Sequence, residues 1–433
     1  MSKFSSKRTA ILVGASVLVS STVLFAGIVP ASANSTPVIT FGSWVSPIGH
    51  TRHAEAYKTI NAQNQGKYVF QPVYIPGSNY NQKIVTELAA GDAPDIFYVN
   101  YGMVNTLANN HTLLNLTPYL KKYEKQYPAA NLKNYFPASL TGDSIGKQTY
   151  ALPFIDQPDV MYYNAALFKQ AHLPLPKPGW TWPQFLHDAK MLTIPSKNQY
   201  GYLQAAGWPP LEVYVWSYGG HMFNPAGTKA TVNSPAAIRG LELMQTMVKE
   251  KIIPPQAAIE NISIENLFSE GKVAMFLGGA NDGNYTWNNK PIPTAIAPVP
   301  RGTKEVTGNY IAEIGVNAKT KNPALAVKAL LELLTQYGKF HVVPPVKQFA
   351  TAAKLESMDI PGAPNNKIPK SRISTIVGSM KFARPQRALA DMTQFNNIEM
   401  NDLYDPILLG SETAQQAADK AEQDLNNMLK ASK

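Results

Sequence analysis

The chain contains no cysteine. That excludes disulfides, thiolate metal sites and a cysteine nucleophile. Charge is scarce too: only 16% of the 433 residues are Asp, Glu, Lys or Arg, and Asn, Gln, Ser, Thr and Tyr supply the polar surface instead. The seven histidines show neither His-x-x-x-His spacing nor a carboxylate-flanked cluster, which argues against a metal enzyme. No glycine loop followed by Lys-Ser/Thr is present to cradle a phosphate. Basic residues outnumber acidic ones by 39 to 29, a formal +10, but they are scattered singly. Nucleic-acid binding is therefore not expected, and a mild attraction to an anionic wall or membrane surface is. Few carboxylates also suit an acidic habitat, where folding would not depend on ionised acids.

Long apolar runs are missing after the first thirty residues. Residues 1–33 have the pattern of a secretory signal: Lys3, Lys7 and Arg8, an apolar stretch from Ala10 to Val29, then Ala31-Ser32-Ala33. Ser and Gly within that stretch and Pro30 at its end make a permanent anchor the weaker reading. The remaining Asn34–Lys433 keeps 36 basic against 29 acidic residues, or +7, and is long enough for two domains.

Strand and helix signals then alternate. Val38 to Trp44 reads as a strand, Ala54 to Ala62 as a helical stripe and Tyr68–Ile75 as a second strand. Asn81–Ala90 reads as a helix stopped by Gly91, and Asp95–Val99 as a third strand. Such alternation argues for a parallel α/β sheet, whose ligands bind beyond the carboxyl ends of the strands. Trp44 and the Val99-Asn100-Tyr101 turn fall there.

The most specific stretch is Gly142 to Asn164. After turn residues Gly142, Asp143 and Gly146, Thr149 to Ile155 and Val160 to Tyr163 read as two short strands. Asp156-Gln157-Pro158-Asp159 joins them, and Pro153 and Pro158 keep them out of the middle of a ladder. Gly-Lys-Gln-Thr-Tyr-Ala-Leu-Pro followed by Tyr-Tyr-Asn resembles the first interdomain crossing of carbohydrate-binding proteins that serve ABC importers, the maltose-binding-protein-like solute receptors. Gly91-Asp-Ala-Pro-Asp-Ile-Phe-Tyr-Val-Asn100 is similar to their Gly-x-x-Pro-Asp motif, and Thr181-Trp-Pro-Gln-Phe185 to their Thr-Trp-x-x-Phe helix start. Further matches are Glu265 to Gly279, Gly308 to Asn317 as a return crossing, and the terminal helix from Ser411 to Lys430.

The resemblance covers about 38–430. It implies a two-lobe type II periplasmic-binding-protein fold of α/β class with discontinuous lobes. The segments would be 34–155 and 309–375 for the first lobe, 156–308 and 376–433 for the second. It further implies capture of a neutral mono- or oligosaccharide for an ABC importer, by an exported monomer without a cofactor. A lipid anchor through cysteine, common among such receptors, is excluded. Aromatic faces would pack on sugar rings and amides and acids would bond hydroxyls. Trp44, Tyr101 and Trp208 are the stacking candidates, with Phe395 where a further cleft aromatic is usual. Asn100, Asp156, Gln157, Gln204, Asn281 and Asp282 are the hydroxyl-binding candidates. Gly279 would let a ligand approach the backbone. Tyr98 is a further candidate, with an inward strand position as its alternative; Gln157 stands where the family often has an acid. Trp180, Trp182 and Trp216 read as core.

Catalysis has two openings. Gly142-Asp-Ser-Ile-Gly146 has the Gly-x-Ser-x-Gly pattern, but strand residues rather than a helix follow it, so Ser144 reads as a hairpin residue. Asp156 and Asp159 could pair for glycoside hydrolysis in a secreted enzyme. A third reading keeps the receptor fold and changes the ligand to a peptide or polyol.

Overall fold

One long strand carries the architecture. The computed structural model describes residues 36–45, 51–76, 80–100, 102–205, 207, 209–259, 264–280, 292–341, 343–358, 367–389 and 391–431; residues 1–33, read above as a secretory signal, lie outside them. The strands are β1 Val38–Ser43, β2 Val69–Tyr74, β3 Ile96–Asn100, β4 Ser144–Ile145, β5 Gln148–Thr149, β6 Ala151–Asn164, β7 Met275–Gly279, β8 Thr294–Ala297, β9 Thr307–Val316 and β10 Ala383–Arg384. Among the described residues, the main sheet runs β2-β1-β3-β9-β6-β7, with β10 beside β9 and β8 beside β6.

The parallel expectation holds only for β1 with β2 and β3, and for β10 with β9. Every pairing of β6, and that of β3 with β9, is antiparallel. Residues 149–163 are not two strands either. β6 runs unbroken from Ala151 to Asn164, with a register irregularity between Pro153 and Ile155. Ala151–Pro158 pairs with β9 alone, while Asp159–Asn164 lies between β7 and β8. Both prolines therefore sit in the half of β6 that pairs with a single strand, where a missing N–H interrupts no second ladder.

Two apolar cores lie along this strand. The first joins Phe41, Phe70 and Phe97 of β1–β3 with Leu330 and Leu334 of the helix Pro323–Tyr337. The second joins Met161 and Tyr163 with Trp182, Leu241 and Leu425 from three helices. A smaller cluster covers the other face of β6, where Val160 and Tyr162 meet Phe276, Leu355 and Ile373. Alternation along β6 explains this division, since successive side chains point to opposite faces.

Local signals set many element ends. Thr181 caps Trp182–Leu192 with a full capping box to Gln184, and Pro183 lies in the first turn. Trp182 is fully buried and Trp180 donates its indole N–H to the Pro298 carbonyl at 2.7 Å. Ser144 sits in the β4–β5 hairpin. The described part of residues 200–210 carries isolated bridges at Tyr200 and Leu203, and Thr351 caps a short helix, Ala352–Ser357. One expected helix start differs. The terminal helix, Ala414–Ala431, begins behind Thr413, whose backbone and hydroxyl exchange hydrogen bonds with Gln416; Ser411 bonds the Pro406 carbonyl instead.

Candidate functional site

Two adjoining cavities lie where β9, β10, the end of β3 and the middle of β6 come together. The larger, about 720 Å³, is bounded by Asn105 and Ala138 on the side of the first core, and by Trp216, Phe223 and Phe395 on the side of the second. The smaller, about 460 Å³, is bounded by Asn100, Asp159, Tyr310, Met400 and Tyr404. Trp216, Arg384 and Gln386 line both, so the two volumes share one wall.

Chain geometry explains why these residues arrive here. Asn100 is the last residue of β3, and its side-chain amide donates to Asn81 at 2.8 Å. Asp159 sits where β6 passes from β9 to β7, beneath Gly308; a Cβ on that glycine would come within 2.1 Å of the Asp159 carboxylate. Glycine is required there because the acid occupies the space a side chain would need. Asp156 is wholly buried behind the cavity, where Ser139 and Asn309 both donate to it. Burial pushes its carboxyl up to about 6, against the pull of those two donors.

The sequence candidates separate on this frame. Asn100 and Phe395 line cavity walls; Phe395 is also packed on Phe223, with ring centroids 5.7 Å apart. Tyr98 does not. It is a core residue, stacked on Phe154 at 4.3 Å, with its hydroxyl 2.7 Å from that of Tyr337. Trp44 is half-buried in the same aromatic group, 4.3 Å from Tyr98 and 5.0 Å from Tyr80. Gln204 is buried beside the second core, accepting from the Tyr214 hydroxyl and donating to the Ala205 carbonyl. Gly279 packs against Gln157: a Cβ there would fall 1.8 Å from the Gln157 amide. That glycine accommodates a neighbouring side chain, and neither residue is among those lining the two cavities. Tyr101, Trp208, Asn281 and Asp282 lie outside the described residues.

Other wall residues carried no recognisable signal. Trp216 reads as core from its helical position and is 7% exposed, yet it borders both cavities under the guanidinium of Arg384, 5.4 Å from the ring centroid. Burial holds the Arg384 guanidinium and the His221 imidazole below their ordinary values, and Arg384 pushes His221 further the same way. Glu212, Gln386 and Glu399 complete the shared wall, with Gln386 donating to Glu212 at 2.9 Å. One clue was available for Glu399: an acid set among the apolar Ile398, Met400, Leu403 and Tyr404, of which Ile398, Leu403 and Tyr404 are buried. Among the described residues, no three His, Asp or Glu side chains are placed to hold a metal.

Chemically the walls offer aromatic faces, amide and carboxyl hydrogen-bonding groups and a partly covered cation. The arrangement suits recognition of a polar solute with an apolar face.

Residues 52–338, more than half of the chain, match the model of the bacterial extracellular solute-binding protein family. A putative binding protein of Brucella abortus is 24% identical over 283 residues, 63% of this chain and 66% of that protein, so this match spans just under two thirds of the relative's length. The galactooligosaccharide-binding protein of Bacillus subtilis is 23% identical over 373 residues, 79% of this chain and 78% of that one. An ABC substrate-binding protein of Listeria monocytogenes, solved with cycloalternan, superposes with a TM-score of 0.79 over 91% of this chain and 99% of its own, at 21% identity. A maltose-bound protein of T. maritima reaches 0.72 over 91% and 100%, at 18% identity. The fold is the two-lobe type II periplasmic-binding-protein fold, and the chain belongs to the bacterial extracellular solute-binding protein family.

Proposed function

We propose that the protein captures a neutral sugar, an oligosaccharide, in the cleft between its lobes and delivers it to an ABC importer. The observation that carries this reading is the pair of adjoining cavities walled by Trp216, Phe395, Asn100 and Gln386. Aromatic rings cover the apolar faces of sugar rings, and amides match hydroxyls that both donate and accept. A space of this size accommodates more than one ring when both cavities are used. Relatives named for galactooligosaccharide, cycloalternan and maltose binding support the same class. In this reading β6 and β9 carry the interlobe crossings, at residues 155/156 and 308/309, and hinge closure about them forms the surface that the importer's membrane subunits read. Tyr101, Trp208, Asn281 and Asp282 are proposed contacts from the family resemblance. The receptor works as a monomer outside the cytoplasmic membrane; among the described residues no helix is long and apolar enough to cross a membrane.

Asp156 and Asp159 serve here as structural and cleft carboxyls rather than as a hydrolytic pair. Calorimetric titration with neutral mono- and oligosaccharides, recovering each ligand afterwards, tests both points. Tight binding with unchanged sugar is expected. Cleaved sugar would move the function to the Asp pair, and no heat with any carbohydrate would remove the saccharide reading.

A further inference from the structure

The wall shared by the two cavities contains two buried acids in contact. Glu212 begins the helix Glu212–Ser217 and Glu399 begins the π-helical turn Glu399–Tyr404; they are 2% and 5% exposed. The two carboxyl groups face each other closely enough for each to act on the other's ionisation. Gln386 donates an N–H to Oε1 of Glu212, while the buried Oε2 of Glu212 and Oε1 of Glu399 have no hydrogen-bond partner among the described residues. Two ionised carboxylates so placed would repel, and neither has a proton with which to bridge the other. Neither acid has a Lys or Arg ion pair among the described residues. π-Helical turns are rare and concentrate at functional sites. This one places Met400 and Tyr404 on the smaller cavity beside Glu399.

The surrounding groups leave the pair without a compensating cation. Tyr404, on the same turn, donates to the Pro209 carbonyl at 2.7 Å, and Tyr214 bonds Tyr202 and Gln204. Asp159, Arg384 and His221 line the cavities, with Arg384 laid over Trp216. Further along the turn, Asp402 is paired with Lys420 at 2.9 Å and neighbours Asp424. Burial pushes both acids of the pair upward, and Glu399 is raised again by the charge of Glu212.

We propose that Glu212 and Glu399 form a proton-binding site in the cleft wall, and that ligand capture requires the proton they share. The inference rests on the saccharide reading of the cleft. Its physical basis is leverage. Trp216 lies four residues beyond Glu212, on the same face of its helix. Loss of the proton sets two like charges against each other in a dry wall, driving the helix and the π turn apart and displacing Trp216, Gln386 and Met400 from the ligand. Affinity then falls about tenfold per pH unit above the pair's release, the slope for one obligatory proton.

Two measurements on the full mature chain separate the proton site from the saccharide reading. The first is the infrared band of protonated carboxyl groups, wild type minus Glu399→Gln, without ligand, from acid to mildly alkaline pH. A band persisting above the ordinary glutamate range is expected, and its absence overturns the proton site. The second is calorimetric affinity for maltose and maltotetraose at pH 5 and pH 8. The wild type should lose at least about tenfold, while Glu399→Gln, whose amide replaces the shared proton with a permanent donor, stays within about threefold. Glu212→Gln, checked for folding by circular dichroism, should flatten the profile likewise. Equal wild-type affinity at both pH values overturns the coupling. So does a wild-type slope retained in both variants, which would point to Asp156, Asp159 or His221. If neither sugar binds at any pH, the saccharide reading falls and the coupling with it, and the infrared band alone decides the proton site.

Discussion

Tyr98 and Trp216 are both aromatic and both nearly buried, at 1% and 7% exposure, but their surroundings give them opposite work. Tyr98 spends its ring on Phe154 and its hydroxyl on Tyr337. Trp216 keeps one edge on both cavities. Tyr98→Phe should therefore cost about 1 kcal/mol of stability, the net worth of a buried hydrogen bond, and leave sugar affinity unchanged. Trp216→Leu should weaken saccharide binding by about tenfold, the size of an aromatic contact. Urea titration and calorimetry on the same two variants check both halves, and reversed results would exchange the roles. The motif around Asn100 was legible because a strand end followed by a turn residue marks a sheet's carboxyl edge. The direction of Tyr98 was not, since it depends on which face the distant helix Pro323–Tyr337 covers.

At the scale of elements, one helix cap was readable because its side chain bonds its own neighbours: Thr181 caps its helix with Gln184. The last helix shows how two close candidates compete. Thr413 and Gln416 stand three apart, which matches the capping-box spacing, and the pair forms there rather than at Ser411. Thr413→Ala should cost about 1 kcal/mol, and Ser411→Ala should change stability much less. Equal losses in chemical denaturation would show that the two positions share the cap. β6 could be read in its two halves from the β-rich residues on either side of the polar tetrad. That they form one strand follows from β9 and β7, which meet the strand from far along the chain and hold the tetrad in register.

At the scale of the whole molecule, several buried carboxyl groups among the described residues have no basic partner. Asp143 and Asp156 are raised from 3.8 to about 6, foremost by burial. Glu212, Glu313 and Glu399 are raised for the same leading reason, and neither carboxyl oxygen of Glu313 meets a donor. Between about 4 and 6 the native state holds protons that the unfolded chain has released, so stability falls as pH rises through this window. Buried His341, lowered from 6.5 to about 3 mainly by burial, works in the opposite sense, as does His221 to a smaller degree. The acids outnumber the histidines, and their sign prevails. Scanning calorimetry should find the melting temperature several degrees higher at pH 5 than at pH 7.5. A lower value at pH 5 would refute both this balance and the acidic habitat inferred from the scarcity of charge.

Sequence alone determined the strand–helix alternation from β1 to β3 and the Thr181 cap, which closes within one turn. Those features follow from side-chain periodicity, backbone preference and turn chemistry, all of which act between neighbours. Tertiary structure decided which buried polar groups meet. Asp156 finds Asn309, 153 positions away, and Glu212 finds Gln386, 174 positions away. Arg384 comes to lie over Trp216 through the pairing of β10 with β9. Such contacts leave no periodic trace, because they arise where separately folded segments converge on a low-dielectric wall and each polar group must take whatever partner the packing brings.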